Sequence, residues 1–124
     1  HIGTWHALAW CQLLMGQIDD AEASYRSAYD ADRNFGDTHG GLALIAALRG
    51  QHDEADLSIR RALRLDPNAA TARYAQALLM EARGDAAGSE AQIAKLLPQT
   101  GLFASMPVSE FAHRLKSTLT SGNR

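Results

Sequence analysis

Glycine recurs at a spacing of 34 residues, at Gly16, Gly50 and Gly84, each time between an apolar helical stretch and a polar turn into a second one. A fixed period of this length is the mark of a stacked repeat in which each unit is one supersecondary element. Such a chain cannot bury its apolar faces unit by unit, so it folds by stacking neighbours into an elongated array.

The first two units agree well beyond glycine. Identities at the same offset include Leu8/Leu42, Ala9/Ala43, Leu14/Leu48, Gln17/Gln51, Asp19/Asp53, Ala21/Ala55 and Ser24/Ser58. They continue through Arg26/Arg60, Ala28/Ala62, Asp32/Asp66 and Asn34/Asn68. A third unit holds phase more weakly, through Ala43/Ala77, Leu44/Leu78, Arg49/Arg83, Ile59/Ile93 and Leu63/Leu97. Alanines at 9, 43 and 77, and at 21 and 55, are small enough for paired helices to approach closely. The glycines suit helix C-termini, where a left-handed conformation is easy only without a side chain. Asp19, Asp53 and Glu54 follow them and suit the positive end of the next helix.

These residues resemble the tetratricopeptide repeat pattern, Trp-x2-Leu-Gly-x2-Tyr, then Ala-x3-Phe, then Pro. Unit one carries Trp5, Leu8, Ala9 and Gln12, then Ala21 and Tyr25, with Arg33 where proline is usual. Unit two carries His39, Leu42, Ala43 and Ala46, then Ala55, Ile59 and Pro67. Unit three carries Arg73, Gln76, Ala77 and Met80, then Ser89 and Ile93, with Gly101 at the proline place. The resemblance implies an all-α fold, an α-solenoid of antiparallel helix pairs in a right-handed superhelix. Three units are expected at about 2–35, 36–69 and 70–101, followed by a loop and capping helix over 102–120 and a disordered tail over 121–124.

Periodicity predicts helices at about 3–15, 19–32, 37–49, 53–65, 69–82 and 86–97. Gly88 and Ser89 are expected to loosen the sixth. A seventh helix is expected at about 107–119, opened by Pro107, with Phe111, Leu115 and Leu119 along one stripe and Leu102, Phe103 and Met106 tucked beneath it.

Composition narrows the functions. The formal net charge is −2, without the concentrated basic footprint of a nucleic-acid binder. One cysteine, Cys11, excludes an internal disulfide, and its mid-helix place among large apolar residues predicts a buried, inert thiol. No run of about 18 apolar residues offers a membrane span. The five histidines, His1, His6, His39, His52 and His113, are scattered. His6 and His39 could meet on successive first helices, but two nitrogens without a supporting carboxylate make a poor metal site. No catalytic residues, cofactor or metal are expected. The chain starts at His1 and reads as a fragment or processed chain, so a cytoplasmic or periplasmic location stays open.

The resemblance places the first helix of each unit on the concave face. That face is expected to hold His6, Trp10 and Leu13 from unit one, Asp37, Gly40, Leu44 and Ala47 from unit two, and Thr71, Tyr74, Leu78 and Glu81 from unit three. Some family members clamp acidic C-terminal peptides there with Lys, Arg and Asn; this chain lacks those residues, so that activity is not expected. What remains is an apolar groove with aromatic walls, suited to a partner's amphipathic helix or extended apolar segment. Trp10 and Tyr74 are its expected anchors. The paired glycines Gly40 and Gly41 open space either for a partner's side chain or for His39 or Trp10 to pack. Arg60, Arg61 and Arg64 read as part of a solvated convex face.

The first helix is apolar nearly all round, and one helix pair covers only part of it. Upstream repeats, a second copy meeting Ala7, Cys11 and Leu14, or a ligand should cover the rest. The chain therefore reads as a protein-interaction module with a scaffold, assembly or chaperone-like role and a protein or peptide partner. A homodimerisation module, or an accessory domain of a larger protein, is the alternative. Its bias toward Ala and Arg suggests a bacterial source.

Overall fold

The computed structural model describes residues 2–100. They form six helices in antiparallel pairs: α1 (Ile2–Leu14), α2 (Ile18–Ala31), α3 (Gly36–Leu48), α4 (His52–Leu65), α5 (Ala70–Ala82) and α6 (Ala86–Thr100). The expected capping helix and tail lie outside the described residues.

The 34-residue glycines do the same local work three times. Gly16, Gly50 and Gly84 have φ of +79°, +75° and +93°, and a Cβ on any of them would meet open space. The backbone sign alone therefore demands glycine. In each case the next residue donates its N–H back across the helix end: Gln17 to Gln12 O at 2.8 Å, Gln51 to Ala46 O at 2.9 Å, Asp85 to Met80 O at 2.8 Å. This closes carbonyls that the helix leaves unmatched and reverses the chain into its partner helix.

Between units the turn is made by aspartate. Asp32 Oδ1 accepts the Asn34 N–H and Asp66 Oδ1 accepts the Asn68 N–H, both at 2.9 Å. The Asp-x-Asn turn is thus built alike with Arg33 or with Pro67 in its middle, which is why unit one tolerates the missing proline.

Ala9, Ala21, Ala43, Ala55 and Ala77 are fully buried in the main core with Leu13, Tyr25, Leu44, Leu48, Ile59 and Tyr74. Stacking is tightest where glycine replaces a side chain. A Cβ on Gly40 would collide with Thr71 and with the backbone nitrogen of Ala72, and one on Gly41 would enter the Tyr25 ring. The glycine pair therefore serves packing, but against Tyr25 and α5 rather than His39 or Trp10. An ion pair repeats with the period: Arg49 meets Glu22 and Asp19, and Arg83 meets Asp56 at 2.7 Å. Each arginine ends a first helix and reaches back to the second helix of the preceding unit.

Two local expectations are corrected in α6. Gly88 and Ser89 do not loosen it: Asp85 Oδ1 accepts the Gly88 N–H at 2.9 Å as an N-terminal cap, and Ser89 is buried. The helix also continues past 97 to Thr100, through Pro98. Pro98 has no N–H to give to the Ala94 carbonyl, so the last turn lacks that bond.

Candidate functional site

The site is built from the first helix of each unit, α1, α3 and α5, whose repeat-equivalent positions are His6/Gly40/Tyr74 and Trp10/Leu44/Leu78. These residues do not all line an open groove. Trp10 is 8% exposed, and Leu13, Leu44 and Tyr74 are completely buried in the main core. Trp10 and Tyr74 meet edge-to-face with ring centroids 5.3 Å apart, although they belong to units one and three. The physical reason lies in α3. Where its neighbours carry His6 and Tyr74 it carries Gly40, and α5 closes on it until Thr71 and Ala72 leave no room for a methyl group. The two expected anchors spend their ring surfaces on packing.

A polar network joins the three helices. His6 is half-buried, with Nε2 2.8 Å from the buried Thr38 Oγ1. Its ring lies edge-on to Phe35 at 5.3 Å and tilted against Tyr25 at 5.7 Å. Burial pushes the His6 pKa below its ordinary value, and the charge on Asp37 partly opposes that shift. Asp37 receives the Thr71 hydroxyl at both its main-chain oxygen (2.9 Å) and its carboxylate (3.1 Å). Burial, with a smaller contribution from Asp37, raises the Tyr25 pKa. The Tyr25 hydroxyl is buried with no hydrogen-bond partner among the described residues. Sequence reasoning placed His6, Asp37 and Thr71 on this face but missed Thr38, because a threonine in a helix carries no pattern that announces a buried bond.

His6 and His39 do not come together. His39 turns to the Arg33 carbonyl, 2.6 Å from its Nε2, and lies edge-on to Tyr29. Among the described residues, no group of three or more His, Cys, Asp or Glu side chains could hold a metal ion. No helix among them is long and apolar enough to cross a membrane.

Of the eleven residues expected on the binding face, His6, Asp37, Leu78 and Glu81 keep partial exposure, while Trp10, Leu13, Gly40, Leu44, Ala47, Thr71 and Tyr74 are buried. The α1 residues separate cleanly. Ala7 and Cys11 are exposed and Leu14 is half-buried, beside Leu8 at 42% and Met15 at 68% exposure. Cys11 is therefore not the buried thiol its apolar neighbours suggested; it sits on the outward stripe of α1, which no described helix covers.

A family model described as tetratricopeptide repeat matches residues 2–35 and 37–69. No curated protein matches the chain by sequence. Among solved structures, the chain is similar to the type III secretion translocator chaperone SycD of Yersinia enterocolitica, in a structure described as an alternative dimer. That similarity has a TM-score of 0.56 at 21% identity and covers 98% of this chain and 91% of the other.

Proposed function

Because the chain belongs to the tetratricopeptide repeat family, we propose that it is a non-catalytic protein-interaction module, of scaffold or chaperone-like kind, that takes a partner segment across α1, α3 and α5. The observation that carries this reading is the strip of half-buried residues on those helices: His6, Asp37, Leu78 and Glu81. Half-buried apolar and polar groups on a base fixed by hydrogen bonds and aromatic packing give a partner both area and direction without the cost of ordering the surface first. The similarity to a secretion chaperone is compatible with this role, and at this identity it supports the fold alone.

The test is affinity capture from a lysate of the source organism with wild-type bait and with Leu78→Glu bait of equal helicity. A polypeptide taken by the first and lost by the second supports the strip as the binding face. Equal recovery of every partner by both baits sinks it. Trp10→Ala is a poor test, since burial of Trp10 makes it a stability mutant.

A specific observation favours self-association as the second reading. Leu8, Cys11 and Met15 are exposed along the outward side of α1, and a continuous apolar stripe is a common basis for homodimers. Leu8→Glu should then halve a concentration-dependent mass in sedimentation. A monomeric wild type at high concentration removes this reading.

A further inference from the structure

The second helices form a cleft of their own, away from the strip that the proposed function uses. Its walls are α2 and α4, and its floor is Leu42, Ile45 and Ala46 of α3. One end lies at the starts of α2 and α4, where Arg49 is held by Glu22 and Asp19. The other end opens into a cavity of about 350 Å3 lined by Tyr29, His39, Arg33, Arg61, Arg64 and Leu65, with no carboxylate in its lining.

That basic end is held in place and uncompensated. The Arg33 guanidinium lies 5.4 Å from the Tyr29 ring centroid, and His39 grips the Arg33 carbonyl. Among the described residues no acidic side chain pairs with Arg33, Arg61 or Arg64. Asp32 and Asp66, just past the ends of α2 and α4, point their Oδ1 atoms at the amides of Asn34 and Asn68. Leu65 beside the arginines is 45% exposed and Leu57 farther along α4 is 48% exposed. Guanidinium groups bind carboxylates in forked pairs, and an exposed leucine beside them adds apolar area.

We propose that this cleft is a second docking site, which takes a short acidic segment of a partner protein. The segment's carboxylates seat among Arg33, Arg61 and Arg64, and its apolar side chains lie over Leu65 and Leu57. Charge selects this occupant. Beyond the described residues the chain carries Glu110 against Arg114, Lys116 and Arg124, so its own C-terminal sequence is basic and mismatched to the site. The solvated face expected from the sequence accounts for the charges but not for a cavity ringed by three unpaired arginines.

The test uses the full chain and a fluorescein-labelled peptide with four glutamates preceding a Leu-x-x-Leu segment, read by anisotropy at low salt. The Arg61→Gln/Arg64→Gln double variant alters exposed side chains, so helicity should be unchanged. Binding should weaken by about tenfold in that variant, on the scale of two exposed ion pairs lost. Binding should also weaken with salt and stay unchanged in Leu78→Glu. Backbone amide shifts should cluster at Tyr29, Arg61, Arg64 and Leu65. Absence of binding, equal binding by the double variant, or shifts on the His6–Leu78 strip instead would overturn the proposal. So would tripolyphosphate displacing the peptide at its own equal affinity, which would mark a general anion site. A mass doubling without peptide that vanishes in the double variant would assign the cleft to a second copy instead. Loss of the lysate partner in Leu78→Glu bears on the proposed function alone, so the two readings fail separately.

Discussion

Gly40→Ala puts the stacking of units two and three under direct test. In a helix interior, alanine is favoured over glycine by about 1 kcal/mol, so an open site would be stabilised. Here the new Cβ would lie 2.6 Å from the Ala72 nitrogen and 3.1 Å from Thr71 Cβ, and closer still to the Thr71 hydroxyl. The first of these is backbone, so relief requires α5 to move. Overpacking of this kind costs about 1–3 kcal/mol. Moving α5 also pulls Thr71 from Asp37, and a buried polar group left without its partner adds about 1–3 kcal/mol. Set against the propensity gain, the net loss should be ~3 kcal/mol, or on the order of 10–15 °C in Tm for a domain of this size. Urea and thermal unfolding by far-ultraviolet circular dichroism would read the loss, and the near-ultraviolet signal should weaken as Trp10 and Tyr74 part. Gly16→Ala is the control. It meets no atom but holds φ at +79°, so it should cost roughly 1–2 kcal/mol through the left-handed backbone alone and leave the aromatic signal intact. A Gly40→Ala protein as stable as wild type would refute the close approach of α3 and α5.

Other expectations follow from single side chains. Tyr25→Phe removes a buried hydroxyl with no partner among the described residues, so stability should hold or rise by up to about 1 kcal/mol in urea titration; a clear loss would mean a bound water or other partner at that oxygen. The folded-state pKa of His6 is depressed by burial, so its neutral form contributes stability above the unfolded value of about 6.5, and that contribution is lost as pH falls through the folded value. Urea midpoints should therefore drop on acidification, and less steeply in His6→Gln; parallel profiles would contradict the burial argument. Arg49→Ala breaks the contacts to Glu22 and Asp19 at a partly exposed site, and should cost only about 0.5–1 kcal/mol, with the difference shrinking in high salt.

The sequence spoke most clearly where one residue decides one backbone conformation. Glycine at a positive φ recurs with the period, so helix ends are legible to within a residue or so at Gly16, Gly50 and Gly84. The alanines of the helix contacts are legible for a similar reason, since only small residues fit there. Illegible were the contacts that skip a unit. Nothing local in Trp10 or Tyr74 says that they meet; that follows from Gly40 letting α5 close in, a consequence of three helices at once. The exposure of Cys11 was hidden because hydrophobicity around α1 is nearly uniform and gives no direction to its buried side. Likewise Arg33, Arg61 and Arg64 read as ordinary surface charge along the chain, and only the packing of α2 and α4 on the same helix, α3, gathers them around one cavity.

Docking of another protein on the strip across α1, α3 and α5 can be trapped covalently. It is tested most directly by placing a diazirine amino acid at position 78, at position 8 on the outward side of α1, and at the exposed position 94 on α6 as a background control, then irradiating intact cells. An adduct with a different polypeptide is expected from position 78 and none from position 94. Adducts from position 8 to the chain's own copy, with nothing from position 78, would contradict it and make self-association the function of this fold.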